Sequence, residues 1–441
     1  MKDKLHPRKS FEYNNLLEYI FSIKNNDIHK VITVFGVKIK FRSRILTLKK
    51  ELSEKNDQLK YAYFGKDIGT MIKSNFVAYC DEKTDIKTDI KLIAFYLPQF
   101  HTFKENDEWH GRGFTEWTNV TKATPIYKGH FQPQLPIDVG FYDLSTTKVM
   151  YRQIELAKHY GIYGFCFHYY WFSGKRLMEN PIFNYLNDKK LDFPFCLCWA
   201  NENWSKKWDG GNNEVLIEQT LKEDDWKKFA NDIAPFLKDK RYIKVNNKPL
   251  IIIYRPALFE YNLFLDFIKN LRNEFINLGI GSVYLVMAIT FGNDNDPAYY
   301  NLDAAVEFPP HNMPNIRLKN DNVNLDPEFN GEIYDMDDYI DNHKYLSNKE
   351  FVLYKTVFPN WDNTPRRHLE GHVLETSPLK FKKWLKSCIA WTKENRTREE
   401  QFVFINAWNE WAEGAHLEPD NKNGYAYLQA VKEALTEGIQ K

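Results

Sequence analysis

The chain has 441 residues, of which 43% are hydrophobic and 27% charged, and its formal net charge is +1. This length and composition exclude a disordered polypeptide and allow either one large domain with an appendage or two domains. An odd number of cysteines, five, favours buried free thiols in a reducing compartment over a disulfide framework. The N-terminus lacks the apolar core of a signal peptide, and no stretch reaches the roughly 18 apolar residues of a membrane span. We therefore expect a cytoplasmic protein.

The balanced total charge conceals a basic N-terminal segment. Residues 1 to 62 carry fourteen Lys and Arg against seven Asp and Glu, which leaves the rest of the chain net acidic. Such a segment is either a solvated domain or an electrostatic contact with an anionic membrane or a partner. The second interpretation predicts peripheral contact with the inner face of the membrane through residues 1 to 62. A net acidic remainder is poorly suited to a continuous basic track, so we expect no nucleic-acid partner.

Residues 1 to 90 differ from the rest and are predicted to form a small basic α+β appendage. An amphipathic pattern predicts a short helix over residues 14–23, and leucines near helical spacing predict another over residues 44–64. The segment HKVITVFGVKIKFR, residues 29–42, alternates in hydrophobicity and predicts a hairpin. The appendage would then precede a larger domain over residues 91–441.

From residue 91 onward, short apolar runs alternate with amphipathic segments typical of helices. Strands that alternate with helices favour a parallel sheet, and eight such units predict an α/β fold, a (β/α)8 TIM-like barrel. A doubly wound open sheet is the alternative. The eight predicted strands cover residues 92–98, 163–169, 193–200, 249–255, 283–289, 303–308, 351–357 and 402–408.

Polar and aromatic residues follow most of the predicted strands, as in YLPQFH, FHYYWF and WANENW. The carboxyl ends of barrel strands meet at one mouth, so these residues are expected to line a single pocket. Amide and carboxylate groups beside aromatic rings are suited to sugar hydroxyls and sugar faces. Each residue taken alone also has an ordinary structural interpretation. The candidate substrate-binding residues are His101, His168, Tyr170, Trp199, Asn201, Glu202, Trp204, Tyr254, Arg255, Glu307, Trp361, Asp362, Trp408, Asn409 and Trp411.

The segment NAWNEWAEG, residues 406–414, places two carboxylates after the last predicted strand. Glycoside cleavage uses two carboxyl groups, one at the glycosidic oxygen and one at or near the anomeric carbon. In a helical turn, Glu410 and Glu413 would have Cβ atoms roughly 5 to 6 Å apart, which favours a retaining over an inverting arrangement. Trp408 and Trp411 would supply stacking faces and a drier environment that raises the pKa of a carboxylic acid. The structural alternative is a helix N-terminus at which polar side chains cap free N–H groups.

Other chemistries lack their sequence patterns. No GxGxxG follows a strand, and the chain has no GxxxxGK[ST], GxSxG or HExxH motif and no paired-cysteine metal spacing. We therefore expect neither a bound metal nor a cofactor.

Six segments, in one order along the chain, resemble a known family: AFYLPQFH, ENDEWHGRGFTEWTNV, QPQLPIDVGFYDL, WANENW, WDNTPRR and WNEWAEG. This is the WbsX-type family, a glycoside hydrolase family 99-like group that is often encoded in O-antigen and capsule clusters and named as glycosyltransferases. The resemblance covers residues 91 to 435 and implies a (β/α)8 catalytic domain over residues 91–441. Its relatives in family 99 are endo-α-mannosidases and mannanases that retain configuration. The strand end YLPQFH and the N-terminal appendage differ from family 99 proper, which leaves the sugar open.

The resemblance also implies a role for each carboxylate of the WNEWAEG segment. Glu410 would be the base that deprotonates the 2-hydroxyl of the sugar, whose oxygen attacks the anomeric carbon to give an epoxide-like intermediate. Glu413 would be the general acid and base at the leaving oxygen.

Together, the residues and the resemblance predict a carbohydrate-active enzyme of bacterial surface polysaccharide metabolism, covering lipopolysaccharide O-antigen or capsule. It would cleave or transglycosylate α-linked glycans with retention, and its partner would be an oligosaccharide or a lipid-linked glycan. A first alternative is a glycosyltransferase with a nucleotide- or lipid-linked donor, for which Arg112, Arg366 and Arg367 are the candidate cations. A second alternative is a non-catalytic glycan-binding protein.

Overall fold

The structure of the protein is a computed structural model. It describes residues 21–26, 29–34, 37–42, 76–82, 86–205, 215–314, 316–318, 325–346 and 349–437, the first three stretches by their backbone. The chain divides into two compact units, Met1–Lys66 and Asp67–Lys441. The predicted domain boundary at residue 90 stays a prediction.

The described part of the first unit is a three-stranded antiparallel sheet. Strand His29–Val34 pairs with Val37–Arg42, as the alternating sequence predicts, and on its other side it pairs with Phe21–Asn26. The helix predicted over residues 14–23 is therefore wrong at its C-terminal end, because residues 21–23 pair with the neighbouring strand. The rest of that helix and the helix predicted over residues 44–64 lie outside the described residues.

Eight parallel strands close into a barrel in the second unit. Each strand pairs with the next along the chain, and the eighth pairs with the first. The predicted (β/α)8 barrel is confirmed, and its closure excludes the doubly wound open sheet. The strands are β1 (Lys91–Tyr96), β2 (Gly164–Phe172), β3 (Phe195–Trp199), β4 (Lys248–Ile253), β5 (Tyr284–Ile289), β6 (Ala304–Glu307), β7 (Leu353–Val357) and β8 (Phe402–Ile405).

The barrel strands are buried on both faces, which explains why their sequences are apolar runs without alternation. All four residues of β8, FVFI, are fully buried. Aromatic side chains fill the interior: the Phe95 ring lies 4.8 Å from that of Phe308 and 5.6 Å from that of Phe404, between ring centroids. The inside of the barrel is therefore filled with side chains, and a ligand pocket can form only at the ends of the strands.

The described residues contain ten α-helices. The longer ones are amphipathic: Phe264, Phe267, Ile268 and Leu271 are buried at positions i, i+3, i+4 and i+7 of one helix. The helices are α1 (Lys104–His110), α2 (Glu116–Lys122), α3 (Lys148–Tyr160), α4 (Asn180–Asn187), α5 (Asp225–Leu237), α6 (Tyr261–Asn277), α7 (Met336–Asp341), α8 (Thr364–Arg367), α9 (Pro378–Asn395) and α10 (Ala426–Thr436).

Short 3₁₀ helices and strands lie between the main elements of the barrel. The 3₁₀ helices are Pro256–Leu258, Pro297–Tyr300, His368–Glu370, Arg398–Glu400 and Trp411–Glu413. The short strands are Lys175–Leu177, Trp204–Ser205, Val215–Ile217, Lys244–Val245, Glu332–Ile333, Trp361–Asp362, His372–Leu374, Asn409–Glu410 and Ala415–His416.

Three connections position the site. The long connection from β1 to α3 carries α1 and α2, the one from β7 to α9 carries α8, and the one from β8 to α10 carries the NAWNEWAEG segment. Among the helices that the structure describes, none combines the length and the apolar character that crossing a bilayer requires.

Candidate active site

A cavity of about 100 Å³ opens at the carboxyl ends of the barrel strands. Seven of the residues predicted for the site line it: His168, Tyr170, Glu202, Trp204, Tyr254, Glu410 and Glu413. The pocket therefore brings together residues that are separated by more than two hundred positions in the chain, as convergence of barrel strand ends predicts.

The two carboxylates of NAWNEWAEG lie on a tight turn and not on an α-helix. Asn409–Glu410 pairs with Ala415–His416, and a 3₁₀ turn over Trp411–Glu413 connects the two short strands. Gly414 ends the turn in the left-handed region, with φ of 61°, and a Cβ there would approach the backbone nitrogen of Asp362 to 3.0 Å. Glycine is the residue that fits both requirements. The i,i+3 pair still converges on one pocket.

Arg366 lies at the centre of three carboxylates in the pocket. Its Nη2 donates to Glu410 at 2.6 Å and to Glu116 at 3.0 Å, and its Nη1 donates to Glu413 at 2.5 Å. All four side chains are largely buried. A guanidinium presents its donors in a planar fork, so a single cation can hold several carboxylates in fixed positions.

Burial changes the protonation of the two turn carboxylates. It raises the pKa of Glu410 to about 8, an effect to which Glu413 and Glu116 add and which Arg366 opposes. Burial also raises the pKa of Glu413, again against the attraction of Arg366. Because the two carboxyl groups interact, they titrate as a pair. The pair can therefore hold a proton near neutral pH, which an acid–base catalyst requires.

The tryptophans that flank Glu410 do not line the pocket. Trp408 and Trp411 are 0% and 1% exposed and lie in the core behind the turn. Asn409 is also fully buried. Its Nδ2 donates to the backbone carbonyl of Leu97 at 3.0 Å, and its Oδ1 accepts from the backbone N–H of Leu97 at 2.8 Å. Asn409 thus joins the turn to the end of β1.

The WANENW segment forms the opposite wall of the pocket. Asn201 bonds to the backbone of Arg255 through both of its amide atoms, each at 2.8 Å, and Glu202 accepts from Arg255 Nη1 at 2.8 Å. Burial raises the pKa of Glu202 to about 7, while Arg255 opposes the rise. Trp204 faces the pocket, whereas Trp199 lies in the core. Asn201, Arg255 and Trp199 therefore support the wall but are not among the residues that line it.

Three side chains of the lining are uncharged near neutral pH. Burial lowers the pKa of His168 to about 4, so its imidazole is neutral. Burial raises the pKa of Tyr170 and of Tyr254 well above the usual value, so both phenols keep their protons. The Tyr254 hydroxyl lies 3.2 Å from Nε2 of His311. These groups can exchange neutral hydrogen bonds with hydroxyls of a ligand.

The remaining predicted residues lie outside the pocket lining. The His101 ring is buried, with Nδ1 2.9 Å from the carbonyl of Pro98. Glu307 accepts from Lys355 Nζ at 2.7 Å. Trp361 is buried, and Asp362 lies 2.7 Å from Nε2 of His130. Binding of a glycan by these residues stays a prediction.

Four polar lining residues were not among the candidate site residues: Gln99, Glu116, Asn203 and Asn406. Gln99 lies inside YLPQFH and could have been found by the rule that selected its neighbours. Glu116 lies on α2 in the long β1–α3 connection, far from any strand end, and its sequence signal is its place in ENDEWHGRGFTEWTNV, one of the segments that carry the family resemblance. Asn203 lies within WANENW between two predicted residues. Arg366 was considered only as a phosphate-binding cation, although it contacts the catalytic carboxylate candidates.

Within the described ranges, no group of three or more His, Cys, Asp and Glu side chains is arranged to hold a metal ion. The carboxylates at the centre of the pocket are instead bound by the Arg366 guanidinium.

The barrel mouth gathers paired carboxylates, neutral hydroxyl donors and an indole, which are groups that can bind the hydroxyls and faces of sugars. Comparison with known sequences assigns the chain to a family. The family model described as glycosyltransferase WbsX matches residues 92–431. The chain belongs to the WbsX family.

WxcX of Xanthomonas campestris pv. campestris strain B100, described as an uncharacterized protein, is 43% identical over 348 residues, which cover 78% of this chain and 49% of WxcX. The same figures hold for WxcX of a second strain. The chain thus spans about half the length of the curated relatives it matches.

Two solved structures are similar over most of the chain. A protein described as glycoside hydrolase-like has a TM-score of 0.49 at 14% identity and covers 82% of this chain and 99% of its own. The family 99 endo-alpha-mannosidase of Bacteroides thetaiotaomicron has a TM-score of 0.49 at 12% identity, and the match covers 79% of this chain and 97% of the mannosidase chain. The barrel assignment itself comes from the strand pairing described above.

Proposed function

We propose that the protein is a retaining glycosidase or transglycosylase for α-linked glycans in bacterial surface polysaccharide metabolism. The observation that carries this proposal is the placement of Glu410 and Glu413 in one pocket, both bonded to Arg366. Two buried carboxyl groups with raised pKa values can supply a proton to a leaving oxygen and remove a proton from a hydroxyl.

In the proposed reaction, the carboxylate of Glu410 removes the proton of the 2-hydroxyl, and that oxygen attacks the anomeric carbon as the glycosidic bond breaks. Glu413, as a carboxylic acid, donates its proton to the leaving oxygen. The Glu413 carboxylate then removes a proton from water or from an acceptor hydroxyl, whose oxygen opens the epoxide-like intermediate at the anomeric carbon. Glu410 returns its proton to the 2-oxygen. Two inversions at one carbon give net retention.

The pocket also offers unbonded polar atoms to a sugar. Gln99 Oε1, Trp204 Nε1 and Glu202 Oε2 are buried, and no hydrogen-bond partner is assigned to these three atoms within the described part of the chain. All three side chains line the cavity. Buried polar atoms are normally bonded, so acceptors and a donor without partners support binding of a ligand rich in hydroxyls.

The test uses the full-length protein with a panel of α-linked aryl glycosides and fluorescent oligosaccharides, without nucleotide sugars. We expect release by the wild type, retention of configuration by proton NMR, and loss of release in Glu413→Gln and Glu410→Gln. Glu108→Gln is the control, because Glu108 is exposed and lies 3.7 Å from Lys104 in a surface contact. Release that persists in both pocket variants would contradict the assignment of the carboxylates.

A second candidate function is glycosyl transfer from an activated donor, which the description of the family favours. Such an enzyme binds the phosphates of a nucleotide or lipid diphosphate, and Arg366 was one candidate for that role. Its engagement with Glu116, Glu410 and Glu413 favours the glycosidase proposal. Sugar transfer that occurs only after a nucleotide- or lipid-linked donor is added would make the transferase the better assignment.

We further propose that the protein acts in the cytoplasm and that residues 1 to 62 contact the anionic inner face of the membrane, where lipid-linked glycans are assembled. The support is the excess of seven positive charges in this segment. Co-sedimentation with vesicles of anionic or zwitterionic lipid tests this proposal. We expect binding to anionic vesicles that weakens with salt and is lost when residues 1 to 62 are removed; unchanged binding after removal would contradict it.

A further inference from the structure

Glu418 is a buried carboxylate behind the catalytic turn that the proposed reaction does not use. Its side chain is 1% exposed and accepts four hydrogen bonds, two on each oxygen. Oε1 accepts from Gln153 Nε2 at 2.7 Å and from Trp408 Nε1 at 3.1 Å. Oε2 accepts from the Tyr142 hydroxyl at 2.9 Å and from Trp411 Nε1 at 2.7 Å.

This arrangement explains why two tryptophans flank Glu410. Both indoles point away from the pocket and donate to the same carboxylate, so they orient the turn from behind. Trp411 is also stacked on His416, with ring centroids 3.8 Å apart and planes inclined by 16°. With its flanking residues held in the core, Glu410 is directed into the pocket.

The Glu418 carboxylate also joins the turn to the barrel. The Tyr142 hydroxyl that donates to Glu418 accepts from Asn409 Nδ2 at 3.1 Å. The Gln153 side chain that donates to Glu418 accepts from the Tyr96 hydroxyl at 2.8 Å. The carboxylate therefore connects the catalytic turn with the last residue of β1 and with α3.

The ionised form of Glu418 suits these surroundings. All four contacting groups donate, and an indole N–H cannot accept, so an ionised carboxylate is the form that accepts from all four at once. Burial raises the pKa of Glu418 to about 7, while the hydrogen bonds from its neighbours oppose the rise. Charge-assisted hydrogen bonds are the stronger kind, which is how a buried carboxylate is accommodated.

We propose that Glu418 is a positioning residue: through the indoles of Trp408 and Trp411 it fixes the turn that holds Glu410 and Glu413 in the pocket. The expected effects on kcat rest on the proposed glycosidase function. The bonding of the Glu418 carboxylate to the Trp408 and Trp411 indoles does not depend on any activity.

The structural test is spectroscopic. The chain has twelve tryptophans, and labelling their indoles with ¹⁵N allows the Trp408 and Trp411 signals to be assigned by loss in Trp408→Phe and Trp411→Phe. We expect both indole protons to resonate downfield, to shift together as Glu418 titrates, and to move upfield in Glu418→Gln. Signals that do not respond to Glu418→Gln would overturn the proposal.

The kinetic test uses the glycoside that the wild type cleaves best. Trp411→Phe keeps an aromatic ring and removes the indole N–H. We expect this variant and Glu418→Gln each to lower kcat by roughly 10- to 100-fold, with KM within twofold, because each loses a hydrogen bond to a charged group. The double variant should lose less than the product of the two effects, since both remove one interaction. Trp384→Phe, a buried indole on α9, is the control and should leave kcat unchanged.

The outcomes separate the two proposals. Independent effects of Glu418→Gln and Trp411→Phe would overturn the positioning role. If Glu418→Gln fails to fold, an unchanged kcat in Trp411→Phe would still overturn it. If the wild type cleaves no glycoside, the proposed function fails, whereas the indole signals still decide whether Glu418 holds the turn.

Discussion

The guanidinium of Arg366 donates to the carboxylate of Glu410 across 2.6 Å, and both side chains are largely buried. The same side chain bonds to Glu413 and Glu116, and its charge opposes the rise in the pKa of Glu410 and of Glu413. Removing one member of a buried ion pair leaves the others without compensation. The cluster therefore links stability, protonation and the proposed catalysis.

Replacing Arg366 with Gln is expected to raise the pKa of Glu410 and Glu413 further, because the cation that opposes the rise is removed. The acidic limb of the pH dependence of kcat/KM should move to higher pH, with about a tenfold loss of rate at low pH for each unit of displacement. The melting temperature should also fall, as breaking a buried ion pair costs roughly 3–5 kcal/mol. Kinetics over pH 4 to 9 and thermal denaturation measure both effects.

The control for this variant is Arg367→Gln on the same short helix. Arg367 is directed away from the carboxylates, and its Nε donates to the carbonyl of Glu370 at 3.3 Å. Its replacement should leave the pH profile unchanged. An identical profile for Arg366→Gln and the wild type would show that Arg366 does not set the protonation of the pair.

Glu116→Gln is expected to have the opposite effect on the pH profile. Glu116 adds to the rise in the pKa of Glu410, and it shares Nη2 of Arg366 with that residue. Without the negative charge, the pKa of Glu410 should fall and the acidic limb should move to lower pH. The measurement is the same pH series, with exposed Glu108→Gln as the charge-matched control. A shift to higher pH in Glu116→Gln would refute this account.

The barrel could be predicted from sequence because every strand is buried on both faces and therefore appears as a separate apolar run. The eight predicted strands overlap β1 to β8. Short polar segments directly after those strands also indicated the pocket, as with Glu202 and Tyr254. Both inferences use information that is local in the chain.

The orientation of side chains at the site could not be obtained in this way. Trp204 faces the pocket and Trp408 faces the core, although each lies two residues from a glutamate in similar motifs. The difference is the position of Glu418, which lies ten residues after Trp408 and accepts its indole proton. Glu116 likewise enters the pocket from a long connection, and its contact with Arg366 spans 250 positions.

Gln99 is expected to contribute to substrate affinity. Its Oε1 is buried at the pocket without an assigned partner among the described residues, so a ligand hydroxyl is its expected donor. Gln99→Leu should raise KM by roughly 3- to 10-fold, as loss of a neutral hydrogen bond does, and should change kcat less. Steady-state kinetics decide the point, with Gln219→Leu, at a buried glutamine outside the pocket lining, as the control. A fall in kcat at constant KM would assign Gln99 to the chemical step instead.

Buried carboxyl groups should make the protein more stable at mildly acidic pH than at alkaline pH. The pKa of Glu410 is raised to about 8 and that of Glu202 to about 7, whereas both are near 4.5 in an unfolded chain. Between about pH 4.5 and pH 8, the folded state therefore holds protons that the unfolded state has released. The free energy of unfolding must then fall as pH rises through this window, by up to about 1.4 kcal/mol for each unit by which a pKa is raised.

Differences between variants isolate this contribution from that of other titrating groups. Melting temperatures of the wild type should fall between pH 5 and pH 8, and Glu410→Gln and Glu202→Gln should each reduce that fall, because an amide binds no proton in either state. Exposed Glu108→Gln should follow the wild type at every pH. If Glu410→Gln showed the same pH dependence as the wild type, Glu410 would be ionised throughout the window, and burial would not raise its pKa in the folded protein.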